Sequence, residues 1–414
     1  MTVATDITIV GAGPYGLSIA AHLRELGLDF RIIGTPMQSW LSRMPKGMLL
    51  KSEGFASTLY DPGRTLTLDR FCKDHGIAYQ DIGLPVRLET FSSYGVAFQK
   101  RLVPGVEDEN LVEINLCAEG LELKMEGGKS FKTRKVVLAV GIDYFRHIPE
   151  ALATLPKQLC SHSAEHHDLH RFRGQAVTVI GSGSSAIDTA VLLHEAKVKV
   201  QLIVRKPTLT FGGEQAPSRP LLLRIREPMS GLGPGWRNRL CTDVPGLFRY
   251  LPDPIRLRTA KRFLGPSAGW FMKDRAAHVP LVLGCEIQES KVCAGRVQLR
   301  LLADDGKTRQ VSSDHIIAAT GYKTDVRRLP FLCSDILGRL QLIGESPRLS
   351  NHFESSIPGL YFVGSIAAAT FGPLTRFAVG ADFTSRKISD HLLKLSASMA
   401  RSTTSKSRQV PGAN

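Results

Sequence analysis

No Cys-x-x-Cys pair occurs among the seven cysteines of this 414-residue chain, at positions 72, 117, 160, 241, 285, 293 and 333. Their wide spacing supplies neither a redox dithiol nor a thiolate metal pattern, so reduced and chemically quiet thiols are expected. No apolar run approaches the roughly twenty residues that cross a bilayer, and no secretory pattern precedes the apolar segment that opens at Asp6. A soluble, cytoplasmic protein is the expectation. Acidic residues are in deficit: 38 Asp and Glu face 53 Lys and Arg, a formal net charge of +15. Such a field draws nucleic acid, acidic membranes or phosphorylated small molecules. The cations are scattered, with local excesses in PLLLRIREPMSGLGPGWRNRL and YLPDPIRLRTAKRFL, and no stripe interleaves them with stacking aromatics. That argues against nucleic acid and leaves a weak contact with an acidic membrane open. GSGSS superficially resembles a nucleophile elbow but does not complete Gly-x-Ser-x-Gly, since the closing glycine is missing there. No Ser-His-Asp nucleophile set is visible, and no catalytic acid or base is assigned.

What the chain has is a repeat. DITIVGAGPYG at the start returns as VTVIGSGSSAID from Val177. Ile7, Ile9 and Val10 form the short apolar run of a buried parallel strand, and Leu17, Ala20, Ala21 and Leu26 follow a helical period. Between them, Gly11 allows a tight turn, Gly13 lets a pyrophosphate approach the backbone, and Gly16 lets the helix pack close; Pro14 opens that helix. The helix N-terminus then offers unpaired N–H groups and a positive dipole end to an anion. Gly181, Gly183, Ser184 and Ser185 repeat this pattern, with Ala186 for the third glycine. Each turn is followed by an alternating strand (Leu121, Leu123, Met125; Val297, Leu299, Leu301), a Gly-Gly or Asp-Gly turn, and an apolar strand ending in Ala-x-Gly. One such motif is weak; two in matching contexts indicate two dinucleotide sites.

The second strand of each unit normally supplies the ribose partner. In VKVQLIVRKP the decisive positions are Arg205 and Lys206, with no acid beside them in sequence, which suits a 2′-phosphate and so NADPH over NADH. In DFRIIGTP, Gly34 stands where an acid is expected. Either backbone and water hold the ribose there, or the adenosine end is held loosely.

The chain resembles the two-dinucleotide flavoprotein monooxygenases, which include flavin-containing, Baeyer–Villiger and N-hydroxylating enzymes. GAGPYG is similar to their FAD fingerprint and GSGSSAID to their NADPH fingerprint. KVVLAVG and HIIAATGY, the latter ending beside Gly321, are similar to their two chain-crossing segments. IPGLYFVGSIAAATFGPLTRFAVGADF, with Gly364 and Gly372, resembles the return to the flavin. Trp40 stands where these enzymes place a tryptophan near the ring, and Met48 to Ser52 resemble the segment that follows. SEGFASTLYDP and LTLDRFC are similar to the N-hydroxylating branch. His162-Ser163 precedes the second unit as in the flavin-containing branch, but the FxGxxxHxxx(W/Y/F) motif is broken by Pro156, Gln158 and His166.

The resemblance implies an α/β fold of two Rossmann-like dinucleotide-binding domains, for FAD and NADPH, with β-meanders and a helical insertion. Residues 1–150 and a return at 326–395 are assigned to FAD, 151–325 to NADPH, 211–277 to the insertion, and 396–414 to a disordered basic tail. It further implies a flavoprotein oxidoreductase: a monooxygenase that spends NADPH to place one atom of O2 on a small-molecule substrate through a flavin (hydro)peroxide. The insertion, with Trp236, Phe248, Tyr250, Phe263, Trp270 and Phe271, could cover such a site or simply pack. Two alternatives stay open: an NADPH-dependent flavoprotein reductase serving a partner, and a non-catalytic nucleotide-binding protein. His162, His166, His167 and His170 invite a metal reading, but neither Cys spacing nor carboxylates support it; a connector that moves or touches NADPH fits better.

Overall fold

The computed structural model describes residues 5–407. The first sheet is built from β1 (Thr5–Val10), β2 (Phe30–Ile33), β3 (Val106–Glu107), β4 (Leu111–Cys117), β5 (Gly120–Met125) and β6 (Ser130–Leu138), in the order β3-β2-β1-β6-β5-β4. β6 does two jobs. Its first half pairs antiparallel with β5 in a meander, while its second half lies parallel between β1 and the returning strand Leu360–Phe362. Ile7, Ile9 and Val137 are fully buried, as expected for strands covered on both faces, while β5 alternates and turns Leu121 and Leu123 inward.

The second unit repeats the plan with β7 (Cys160–His162), β8 (Ala176–Ile180), β9 (Lys199–Val204), β10 (Leu281–Leu283) and β14 (His315–Ala318) in a parallel sheet ordered β10-β9-β8-β14-β7. Its meander, β11 (Cys285–Cys293), β12 (Arg296–Ala303) and β13 (Thr308–Ser313), is a separate three-stranded sheet. Val297, Leu299 and Leu301 point inward from β12. Between β9 and β10 lie short helices, among them Leu221–Arg226, Trp236–Asp243 and Asp253–Arg262.

Two expectations are corrected here. Leu26 caps the first helix, Pro14–Glu25, rather than packing within it, and is exposed. The basic tail is helical as far as it is described: the last helix runs Gly380–Ser407. Ile388 and Leu392 are buried four residues apart, and a helix so nucleated extends at little cost through Ser, Ala and Lys. Residues 408–414 lie outside the described residues.

Candidate nucleotide sites

Both glycine turns are dictated by what crosses behind them. β1 and β6 end in register, and Ala139 donates its N–H to the Val10 carbonyl at 2.8 Å. Gly11 sits at φ +108°, and a Cβ there would meet the Ala139 carbonyl oxygen at 2.4 Å. In the second unit Ala319 donates to Ile180 at 2.8 Å, and a Cβ on Gly181 (φ +145°) would meet the Ala319 oxygen at 2.3 Å. This close approach is why each turn is matched, more than a hundred residues on, by an Ala-x-Gly. A Cβ on Gly16 would lie 1.8 Å from the Gly11 oxygen, whereas Gly13 opens onto free space. Neither the helix Pro14–Glu25 nor the helix Ser184–Glu195 has a side-chain cap, so their first N–H groups remain available for an anion.

The first turn forms the floor of a cleft of about 540 Å3 lined by Gly11, Gly13, Pro14, Trp40 and Gly364, among others. Trp40 packs edge-on against Phe91, with centroids 4.6 Å apart, and still faces the cleft. Gly16 stands behind the turn. Gly372 and Gly321 are not part of this lining. Gly372, at φ +79°, leaves room for Phe248, whose ring a Cβ there would meet at 3.1 Å, and the Gly321 carbonyl is engaged by the His147 N–H and by His162 Nε2, each at 3.0 Å.

The position of Gly34 is resolved by the neighbouring strand. Gly34 donates to the Glu107 carbonyl at 2.8 Å, Thr35 Oγ1 donates to Asp108 at 2.5 Å, and Glu109 reaches the cleft. The acid missing from the end of β2 is thus offered just beyond β3. Sequence reasoning also missed Arg43, Asp143 and Arg146. All three line the cleft, and Arg43 Nε, Arg146 Nε and Asp143 Oδ1 are buried without a hydrogen-bond partner. Ser39 Oγ donates to the other Asp143 oxygen at 2.6 Å. Each atom left without a hydrogen bond costs about 1–3 kcal/mol: the two arginines call for anionic groups on a ligand, while Asp143 Oδ1, which has Arg146 Nη2 4.0 Å away, calls for a donor. An elongated dinucleotide with its pyrophosphate over Gly13 meets those requirements, and the cleft therefore fits FAD.

The second turn is more covered. A Cβ on Gly183 would sit 3.6 Å from the Pro266 Cβ, placing the 265–268 segment of the insertion beside the cradle. Lys51 Nζ donates to the Ser267 carbonyl at 3.0 Å and to its hydroxyl at 2.6 Å, tying this strap to the first unit. Ser184 and Ser185 begin the helix as its first two residues. Arg205 is 80% exposed; no acid adjoins it in sequence, and in the fold Glu286 of β11 stands 4.0 Å away, itself 61% exposed. A surface pair of that length is worth little, so Arg205 stays available to a phosphate; Lys206 follows it at the strand end. Asp188, in the same helix, is buried, and that burial lifts its carboxyl to about 7 against the opposing pull of Arg275 and Lys51.

The histidine connector is a set of internal fastenings. Ser161 Oγ lies 2.5 Å from His166 Nε2 and 2.7 Å from His315 Nε2, and His315 Nδ1 is 3.1 Å from the Gln158 carbonyl. A carbonyl only accepts, so His315 donates there through Nδ1 and accepts a hydrogen bond from the Ser161 hydroxyl at Nε2. Burial, aided by His315, pushes His166 down to about 4. His167 Nδ1 binds the Met44 carbonyl at 2.6 Å. Among the described residues no group of three His, Cys, Asp or Glu side chains could hold a metal ion.

Two sheets of one plan, each with a glycine turn at a helix N-terminus, define a two-dinucleotide oxidoreductase. The chain belongs to the pyridine nucleotide-disulphide oxidoreductase family, whose model matches residues 8–230. It is 29% identical over 212 residues to a ferredoxin–NADP reductase of Cupriavidus metallidurans, covering 50% of this chain and 53% of that one; the chain spans about half the length of such curated relatives. A ferredoxin–NADP reductase of Thermus thermophilus is 25% identical over 368 residues, 84% of this chain and 91% of the relative. The fold is shared with the reduced ornithine hydroxylase of Pseudomonas aeruginosa, with TM-score 0.75, 16% identity, and 95% and 99% of the two chains covered. It is shared also with a bacillithiol disulfide reductase of Staphylococcus aureus, with TM-score 0.62, 17% identity, and 94% and 98% covered. All seven cysteines are free. No helix among the described residues is long and apolar enough to cross a membrane.

Proposed function

We propose that the chain is an FAD-dependent, NADPH-consuming monooxygenase, with residues 1–150 and 326–395 holding FAD and 151–325 holding NADPH. The observation that supports the flavin assignment is that Arg43 and Arg146, each with an Nε lacking a hydrogen bond, line the same cleft as an open Gly13. When bound, FAD supplies the two-electron chemistry with nicotinamide and oxygen. Gly11, Gly13 and the helix N-terminus hold its pyrophosphate; Glu109 faces its adenosine end, and Trp40 packs beside the cleft. Gly181, Gly183, Ser184 and Ser185 cradle the second pyrophosphate, and Arg205 and Lys206 meet the 2′-phosphate. Overall, substrate, NADPH, a proton and O2 give oxygenated substrate, NADP+ and water.

Free cysteines without a Cys-x-x-Cys disfavour a disulfide acceptor, and the likeness to N-hydroxylating enzymes supports an oxygenating one. The names of the sequence relatives favour a second reading, a reductase that passes electrons to a protein partner. A screen of amines, sulfides, ketones and amino acids with the flavin-loaded protein separates the two. Substrate-stimulated NADPH oxidation with oxygenated product, matched to oxygen uptake, is expected. Hydrogen peroxide alone, or turnover only with a one-electron acceptor, overturns the monooxygenase reading.

A further inference from the structure

The helical insertion keeps its apolar side chains on the outside. Of the twenty large apolar residues that stand exposed among the described residues, twelve fall between Leu221 and Leu264, so the exposure is one surface and not ordinary scatter. The helix Leu221–Arg226 has no buried residue; Leu221 is 68% exposed, Leu222 81% and Ile225 60%. Trp236 Nε1 donates to the Ile225 carbonyl at 3.0 Å, joining this helix to Trp236–Asp243, which also buries nothing. Leu240, Leu247 and Tyr250 continue the exposed series.

The same stretch is strongly basic. Between positions 219 and 262 there are ten Lys and Arg and three Asp and Glu. Each of the three acids is already taken: Glu227 by Arg219, Asp243 by Arg239, and Asp253 by Arg256 and Arg348. Arg224, Arg226, Arg249 and Arg258 therefore carry charge that these acids do not offset.

We propose that this face of the insertion docks into an anionic lipid surface. Leu221, Leu222 and Ile225 fall on one side of the short helix, flanked by Arg224 and Arg226, the arrangement with which an amphipathic helix lies among headgroups with its apolar side toward the acyl chains. Trp236 and Tyr250 are residues of the membrane interface, and the arginines beside them attract anionic headgroups. A second copy of the chain fits poorly, because a two-fold axis sets a patch against itself and opposes cation to cation. The insertion is firmly mounted for this role: the buried Arg256 donates through Nε to the Ala369 carbonyl at 2.8 Å, and Arg376 Nη1 donates to the Phe263 carbonyl at 3.0 Å. Residue 376 lines the flavin cleft, so docking brings that end of the cleft toward the lipid.

The test is co-sedimentation of the full-length, flavin-loaded protein with phosphatidylcholine vesicles, with and without about 30% phosphatidylglycerol. Binding to the anionic vesicles only is expected, weakened by salt as surface charge is screened. Leu222→Ser with Ile225→Ser should reduce it about tenfold, as should Arg224→Glu with Arg226→Glu, while flavin content and NADPH oxidation in solution stay unchanged. Failure to bind anionic vesicles, or binding that neither double variant weakens, overturns the proposal. So does a concentration-dependent dimer that Leu222→Ser with Ile225→Ser dissociates, because it assigns the face to a second copy.

Discussion

The two glycine turns share a plan and differ in how finished they are. The first is tight and open: a Cβ on Gly16 has nowhere to go, and nothing stands before Gly13. The second is looser and covered: Ala186 replaces the third glycine, and Pro266 stands beside Gly183. The matched helix position is Ser18 in one unit and Asp188 in the other. Ser18 spends its hydroxyl on the Pro14 carbonyl at 2.7 Å and accepts from the Tyr60 N–H, whereas Asp188 is a buried carboxyl raised to about 7. The first unit is thus packed as a permanent holder, and the second retains an unsettled charge and a strap, features suited to a ligand that comes and goes.

Gly16→Ala should break this contrast most severely. Its Cβ must displace the Gly11 carbonyl, costing about 3 kcal/mol and emptying the first cradle; absorbance of the purified protein near the flavin band, with its melting temperature, measures both. Ala186→Gly at the matched position should cost only about 1 kcal/mol of helix stability and leave flavin content intact. Equal damage from the two would erase the asymmetry.

Asp188→Asn comes next. Because the folded-state carboxyl is raised above its unfolded value, the folded chain keeps a proton the unfolded chain has lost. The corresponding stability is complete below about pH 4 and drains as pH rises to about 7. The asparagine variant should melt at the parent's temperature at pH 4 and above it at pH 8, by a few kcal/mol in stability. A parallel pH dependence in parent and variant would place the buried charge elsewhere.

A smaller effect is expected at the rim. Arg205→Ala should raise KM for NADPH about tenfold, the loss of one charge-assisted contact, with little change for NADH. The same shift with both nucleotides would remove Arg205 from the 2′-phosphate.

Much of this was legible because it is local. The alternation of Leu121, Leu123 and Met125, the apolar Ile7 to Val10 run and both glycine turns are periodicities within a dozen residues, and the structure buries those side chains. The Ala139 and Ala319 partners were legible as a repeated pattern, though their reason, a carbonyl 2.4 or 2.3 Å from a would-be Cβ, is tertiary. Arg43, Asp143 and Arg146 meet only because the loops after β2 and β6 converge over one cleft. No single-chain periodicity encodes that. Nor could the replacement for Gly34 be read from its own strand, since Glu109 arrives from the end of β3. The sequence leaves Trp236, Phe248, Tyr250 and Phe263 open as a cover for the site or as packing; Trp236 and Tyr250 are exposed, while Phe248 and Phe263 are buried, because composition does not say which way an aromatic faces.

The strap gives the finest test of the contrast, because its sign is diagnostic. Lys51 reaches from the first unit to grip the Ser267 carbonyl and hydroxyl, and the gripped segment holds Pro266 against the Gly183 side of the second cradle. Nucleotide entering there must compete with the strap, so weakening the grip should tighten nucleotide binding. Lys51→Met keeps the length of the side chain and deletes both donated bonds; titration calorimetry with NADP+ is expected to show a dissociation constant lowered about threefold, under 1 kcal/mol. A raised constant would mean that the ammonium serves the nucleotide directly and that the second turn is as open in use as the first.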